Sequence, residues 1–146
     1  MKAISTLILI SLAIAATAII VKRPTPAEVT KMTGIRTDLI KIFSDAFPNI
    51  RGSQISHECK FNDGKTDTNL TAGYIYCSHV FTPPKSAGKH DNNAALAALK
   101  KSVETLLKKN KYSAKYECNN EKNVKHKEHI ANGGTACTFT LFPTKK

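Results

Sequence analysis

The sequence predicts an α+β domain in which two tandem α-β-β units form a four-stranded antiparallel sheet with two helices on one face. Three observations favour it. Apolar residues recur every three or four positions in two segments, two stretches of polar–apolar alternation follow each segment, and landmarks of the first half recur about 60 positions later. A helix and a hairpin that each have one apolar face must cover it, so we expect two packed layers.

The N-terminal segment is nearly free of charge and is expected to direct export. Lys2 is followed by an apolar run from Ala3 to Val21, which predicts a hydrophobic helix. A cleaved signal peptide fits, because residues 16–18 form a small-residue cleavage pattern. A retained transmembrane anchor also fits, because the run is just long enough to span a bilayer, and membrane contact would then be made by residues 3–21.

Composition and patterning divide the chain into four segments. The predicted segments are a signal peptide or membrane anchor at 1–21, a linker at 22–26, a first α-β-β unit at 27–84 and a second at 85–146, with 27–146 as one compact domain.

A capping box marks the start of the first unit. Thr25 fits the N-cap, Pro26 the first helical position and Glu28 the third, and Pro48 ends the helix. The apolar stripe of this helix is Val29, Met32, Ile35, Leu39, Phe43 and Phe47. Alternation then predicts strands over roughly 54–61 and 71–81.

The second unit repeats this order. Asp91 or Asn92 can cap its helix, and strands are predicted on either side of a long polar loop at 119–134. Its helical stripe is Leu96, Leu99, Val103, Leu106 and Leu107. The matched landmarks are Glu58-Cys59 with Glu117-Cys118, Cys77 with Cys137, and Pro83 with Pro143, at offsets of 59 or 60. The alternative to duplication is coincidence among short alternating strands.

The four cysteines lie on the inward faces of the four predicted strands, one on each. Behind an export signal they indicate two disulfides, since thiols oxidise outside the cytoplasm. Three connectivities are open, and the repeat favours Cys59–Cys77 and Cys118–Cys137, one within each hairpin. Reduced cysteines in a cytosolic domain are the competing interpretation.

Two histidines lie beside the first cysteine pair. Pairing Cys59 with Cys77 places His57 opposite His79, which suggests a zinc site or, with a nearby lysine, a ribonuclease-like acid–base pair. The second unit has Tyr116 and Phe139 at these positions, an aromatic pair beside a disulfide. Because oxidised cysteines cannot ligate zinc as thiolates, we expect the histidines to be rings packed in the same way, with no metal and no cofactor.

Positive charge is concentrated in the second half. Residues 22–84 carry eight Lys and Arg against six Asp and Glu, whereas residues 85–146 carry thirteen Lys against five acidic residues. Such a surface attracts polyanions, although the absence of Arg from this half argues against nucleic acid. The candidate polyanion-binding residues are Lys100, Lys101, Lys108, Lys109, Lys125 and Lys127. The alternative is that this charge serves only solubility.

The sequence contains three further patterns that give weaker evidence about function. His126 and His129 form a His-x-x-His pattern, but in a polar loop it is a weak metal signal. Asn69 begins an Asn-x-Thr glycosylation acceptor, which marks its loop as surface. Tyr74 and Tyr76 lie on the predicted outer sheet face, which suits protein binding.

These observations favour an extracytoplasmic, disulfide-stabilised basic protein, secreted, periplasmic or anchored by its N-terminus, that is a binding or structural module. Its partner would be an anionic surface, a polyanion or another protein. The alternatives are a small secreted hydrolase using His57 and His79, and an inhibitor-type domain that binds one protein. Enzymatic activity is not expected, because phosphate-binding loops, nucleophile elbows and Cys-x-x-Cys pairs are absent from the sequence.

Overall fold

A computed structural model describes residues 22–47, 50–84, 92–118 and 134–145. The elements are α1 (Pro26–Ala46), β1 (Gln54–Phe61), β2 (Ile75–Thr82), α2 (Asn93–Asn110), β3 (Tyr112–Cys118) and β4 (Thr135–Pro143). Two helices and a four-stranded antiparallel sheet confirm the predicted α+β class. The apolar run at 1–21 lies outside the described residues. Of the helices in the described ranges, neither combines the length and the apolar character needed to cross a bilayer.

The ends of the helices follow from local hydrogen bonding. The Thr25 N–H donates to Glu28 Oε2 at 2.7 Å and the Glu28 N–H donates to Thr25 Oγ1 at 3.2 Å, which completes the predicted capping box. Asn92 is the N-cap of α2, but its side chain makes no capping hydrogen bond. Lys111 ends α2 in the left-handed region at φ 58°, and its N–H caps the final turn.

The sheet consists of two hairpins joined side by side. Its strand order is β1-β2-β4-β3, so β2 and β4 are central and β1 and β3 are the edges. In the central pair Ser78 lies opposite Thr138, with Cys77 opposite Phe139 and His79 opposite Cys137.

A single hydrophobic core lies between the helices and one face of the sheet. Both helices contribute to it with the stripes that the sequence predicts, and the inward residues of β2 and β4 complete it. The fully buried core side chains include Met32, Leu39, Phe43, Ile75, Phe81, Val103, Phe139 and Leu141. Covering one sheet face with two helices leaves the other face for solvent or partners.

The prediction that the second strand begins near residue 71 was wrong. β2 starts at Ile75, because residues 71–74 form a turn in which Gly73 adopts φ 87°. The Tyr112 hydroxyl donates to the Gly73 carbonyl at 2.9 Å, and a Cβ on Gly73 would lie 2.9 Å from Pro143 Cγ. Gly73 was expected on the core face of a strand, but it is instead the residue that permits a tight turn against the second hairpin.

The loop between β1 and β2 is organised by side-chain hydrogen bonds. Asn62, which is buried, donates from Nδ2 to the carbonyls of Thr68 and Leu70 at 3.2 and 3.0 Å. Asp63 accepts hydrogen bonds from the N–H groups of Lys65 and Thr66, both at 2.7 Å. Asn69 is exposed in this loop, as expected for a surface segment.

Candidate functional site

A group of three hydrogen-bonded polar side chains lies under the C-terminal half of α1. His57 of β1 and His79 of β2 are directly opposite in the sheet, and their Nδ1 atoms are 2.6 Å apart. The Nε2 atom of His57 is 3.2 Å from Ser44 Oγ on α1. Of two hydrogen-bonded neutral imidazoles, one Nδ1 donates and the other accepts, so the three side chains form one hydrogen-bonded chain.

Burial keeps both histidines neutral. His79 has no exposed surface, and desolvation, followed by repulsion from His57, lowers its pKa to about 3. His57 is half-buried, and desolvation lowers its pKa as well. The Nε2 atom of His79 finds no hydrogen-bond partner among the described residues. A buried nitrogen without a hydrogen-bond partner lowers the stability of the folded state, so His79 is an unfavourable polar group within the core.

The same rings also pack as aromatics. Phe43 stacks on His79 with centroids 5.0 Å apart, and Phe139 meets His79 edge-on at 5.6 Å. In the second hairpin Tyr116 stacks on Phe139 at 5.4 Å. The expectation of ring packing therefore describes part of the arrangement, and the hydrogen-bonded chain to Ser44 is the part that it misses.

No signal in the sequence identified Ser44. The strand register pairs the two histidines, but it does not say which helical side chain lies above them. Ser44 is adjacent to Phe43 on α1, so only the rotation of the helix on the sheet brings its hydroxyl to His57.

Both disulfides lie within hairpins. Cys59 is bonded to Cys77 and Cys118 to Cys137, with a Cα–Cα distance of 4.1 Å in each pair. Such a short distance is typical of the closely approaching pairs of an antiparallel ladder, in which side chains are nearest. The prediction of disulfide bonds is confirmed, and no cysteine is free.

A groove opens beside the first disulfide. It has a volume of about 440 Å³ and lies between α1 and the edge strand β1. The lining residues are Arg36, Thr37, Ile40, His57, Glu58 and Cys59. The guanidinium of Arg36 lies 5.7 Å from the centroid of the Phe61 ring. His57 and one sulfur of the first bridge are thus reachable from solvent, whereas His79 is not.

The geometry does not favour the hydrolase alternative. Acid–base cleavage needs two groups that each reach the substrate in suitable protonation states. Here the two histidines contact each other, His79 is fully buried, and its lowered pKa keeps it neutral.

The predicted polyanion-binding residues divide into two groups. Lys100, Lys101, Lys108 and Lys109 are exposed on α2. Lys125 and Lys127 lie outside the described residues, as do His126 and His129, so the predicted loop cluster is not described. Lys111 and Lys115, which were not singled out, add exposed charge next to the α2 group.

No protein-family model, no curated protein and no solved structure matches this chain.

Proposed function

We propose that this chain is an exported, disulfide-stabilised binding or structural module whose basic second half contacts an anionic surface or partner. The observation that carries the proposal is the set of exposed lysines on α2 and β3. Residues 92–118 hold six Lys against two Glu, a net charge of +4, whereas residues 22–84 hold a net +2 on more than twice as many positions. A local excess of one sign raises the concentration of oppositely charged partners at the surface.

Within the described ranges, the lysines of α2 form no ion pair. The two ion pairs found within the described ranges, Lys41–Asp45 and Lys60–Glu58, both lie in the first half. Lys100, Lys101, Lys108 and Lys109 have no such pair among the described residues. Their charge therefore remains available to a partner.

The two disulfides and the N-terminal apolar run both support export. Two disulfides in a small domain are typical of oxidising compartments outside the cytoplasm. The apolar run at 3–21 supplies the expected export or anchoring segment. Secretion, a periplasmic location and tethering by residues 1–21 all fit this proposal.

The proposal includes a duplicated α-β-β unit as the origin of the domain. Support comes from the registers of the two hairpins, in which Cys59 lies opposite Cys77 and Cys118 lies opposite Cys137. The helices extend the correspondence, since Leu39 and Leu99, and also Phe43 with Val103, are buried at the same offset of 60. A shared offset in helices and central strands is expected of repeated units and is not required by the fold class.

Vesicle binding tests the anionic partner. Affinity of the native chain should be higher for phosphatidylserine-containing vesicles than for zwitterionic ones and should fall with salt. Each lysine near such a surface contributes about 1 kcal/mol, so Lys101→Gln/Lys108→Gln should weaken binding roughly 30-fold. The matched control is Arg51→Gln/Lys65→Gln, which removes two exposed positive charges from the first half. Equal losses in both variants, or no preference for anionic vesicles at low salt, would refute the proposal.

A second candidate is protein binding through the outer face of the sheet. Tyr74 and Tyr76 expose 43% and 42% of their surface there, and Phe142 lies 6.0 Å from the Tyr74 ring. Exposed tyrosines suit protein interfaces because they bury a large area at little entropic cost. Tyr74→Ser/Tyr76→Ser should abolish such binding and leave vesicle affinity unchanged, which separates the two candidates.

A further inference from the structure

We propose that the first hairpin becomes a Cys2His2 site for Zn²⁺ when its disulfide is reduced. Cys59 and Cys77 form one cross-strand pair, and His57 and His79 form the next pair on the same face. Two thiolates and two imidazoles are a tetrahedral zinc set. This inference is independent of the proposed function, because it concerns a face that the lysines do not share.

The donor atoms are already close together. A sulfur from each cysteine and a ring nitrogen of His79 all lie within 4.8 Å of one another. His57 is outside this group of three, but its Nδ1 atom lies 2.6 Å from Nδ1 of His79. Zn–S and Zn–N distances of about 2.3 and 2.0 Å place the donors of a tetrahedral site roughly 3.3–3.8 Å apart. Completing the site therefore requires that the hydrogen bond between the two rings opens and that His57 turns towards the sulfurs.

Each histidine ring offers a nitrogen donor, since zinc binds the neutral imidazole. The unpaired Nε2 of His79 means that one ring nitrogen is not committed elsewhere among the described residues. The Ser44 hydroxyl, 3.2 Å from His57 Nε2, can hold that ring as an outer hydrogen-bond partner while Nδ1 turns to the metal.

The groove between α1 and β1 provides access. Cys59 and His57 both line it, so a reductant and then a metal ion can approach from solvent. Cys77 and His79 are fully buried behind them and would form the inner half of the site.

The conversion balances with a dithiol as co-reactant. The dithiol gives two electrons and two protons to the Cys59–Cys77 bond and becomes a disulfide, while the two cysteines become thiols. Binding of Zn²⁺ then forms two Zn–S bonds and releases the two thiol protons to solvent. The hairpin thus has two alternative closures, a disulfide under oxidising conditions and a metal under reducing ones.

The second hairpin is a control within the same chain. It has the same cysteine pair, but Tyr116 and Phe139 replace the histidines and provide no metal ligand. Reduction of Cys118–Cys137 is therefore expected to leave a two-thiolate pair of much lower affinity. The variant His57→Tyr/His79→Phe gives the first hairpin the same composition.

Cobalt titration of the reduced full chain tests the proposal. After reduction with a phosphine, which does not compete as a thiol ligand, one equivalent of Co²⁺ should produce the visible absorption of a tetrahedral site and a thiolate charge-transfer band, and Zn²⁺ should displace it. His57→Tyr/His79→Phe should bind at least about 100-fold more weakly, because losing ligands costs more than losing their outer partners. Cys118→Ala/Cys137→Ala should bind as the native chain does.

Circular dichroism of the reduced chain with and without Zn²⁺ tests the proposal even if reduction unfolds the protein. If reduction unfolds the chain, Zn²⁺ should restore its circular dichroism in the native sequence but not in the histidine variant, since binding a structural metal drives folding. Absence of both tetrahedral Co²⁺ absorption and Zn²⁺-dependent refolding would overturn the proposal. Equal affinity in the histidine variant would overturn it as well.

Discussion

The two hairpins have the same backbone arrangement, but they differ in the side chains that lie beside the disulfide. Each joins its strands through one bridge, with Cα atoms 4.1 Å apart and sequence separations of 18 and 19. The first places His57 against His79, and the second places Tyr116 against Phe139. The position beside the disulfide therefore holds a hydrogen-bonded histidine pair in the first hairpin and an aromatic pair in the second.

This difference shows which properties of the histidine pair are not needed for packing. An aromatic pair is sufficient to fill this position, as the second hairpin demonstrates with rings 5.4 Å apart. The histidines fill it equally in the first hairpin, but they leave a buried nitrogen without a partner among the described residues and connect to Ser44. A pair that costs stability without improving packing is a candidate for function.

Truncation of a fully buried helical side chain should give the largest effect. Phe43 is fully buried and contacts both histidine rings, with centroids 5.9 and 5.0 Å away. Phe43→Ala should lower the free energy of unfolding by about 3–5 kcal/mol. Val103 is the fully buried α2 residue 60 positions after Phe43, and Val103→Ala should cost about 2 kcal/mol, because fewer buried carbons are removed. Urea denaturation measures both, and a larger loss at Val103 would contradict the proposed correspondence.

Removal of either disulfide should come next, and the two losses should be equal. Loops of 18 and 19 residues each give roughly 3 kcal/mol in the chain-entropy model. Cys59→Ala/Cys77→Ala and Cys118→Ala/Cys137→Ala can be compared by denaturant midpoint at constant slope. A difference above about 1.5 kcal/mol would mean that the bridges are not equivalent members of a repeat.

Acid should destabilise the first hairpin specifically. The pKa of His79 is about 3 in the folded protein against an ordinary 6.5, so the unfolded chain binds more protons below pH 6.5. Stability is full above that pH and should fall by about 1.4 kcal/mol per pH unit as the pH drops towards 3.

The variant His57→Tyr/His79→Phe isolates this effect between pH 6.5 and 4.5. Asp63, whose pKa is lowered to about 2 by hydrogen bonds from Thr66 and Lys65, loses its contribution only below pH 3.8. The variant should therefore have a flat stability profile in the upper window. An unchanged slope there would show that other groups titrate.

Loss of the Ser44 hydroxyl should give the smallest effect. Ser44→Ala removes one hydrogen bond to His57 and should cost about 1 kcal/mol. The control Ser102→Ala changes an exposed serine of α2 and should stay within about 0.5 kcal/mol. Equal effects would mean that the Ser44–His57 contact contributes nothing measurable.

Sequence periodicity was sufficient to predict the α+β architecture, but it did not predict where every element begins. Pairing Cys59 with Cys77 also places His57 opposite His79, because an antiparallel register is fixed by one pair. The start of β2 was misplaced, since alternation continues through Gly73 while the backbone turns there. That turn depends on contact with Tyr112 and Pro143, which are distant in sequence.

Some residues of the candidate site could be predicted from the sequence and others could not. Its strand residues follow from pattern and register, whereas Ser44 and the groove depend on how α1 is rotated and placed on the sheet. Helix orientation is decided by packing over the whole core, so local spacing does not determine it.

Peptide mapping of the native protein under non-reducing conditions identifies both bridges in one experiment. We expect no free thiol and two linked peptide pairs, one containing Cys59 with Cys77 and the other Cys118 with Cys137. Four free thiols, or a bridge from one half of the chain to the other, would contradict both the export of this protein and the independent closure of its two hairpins.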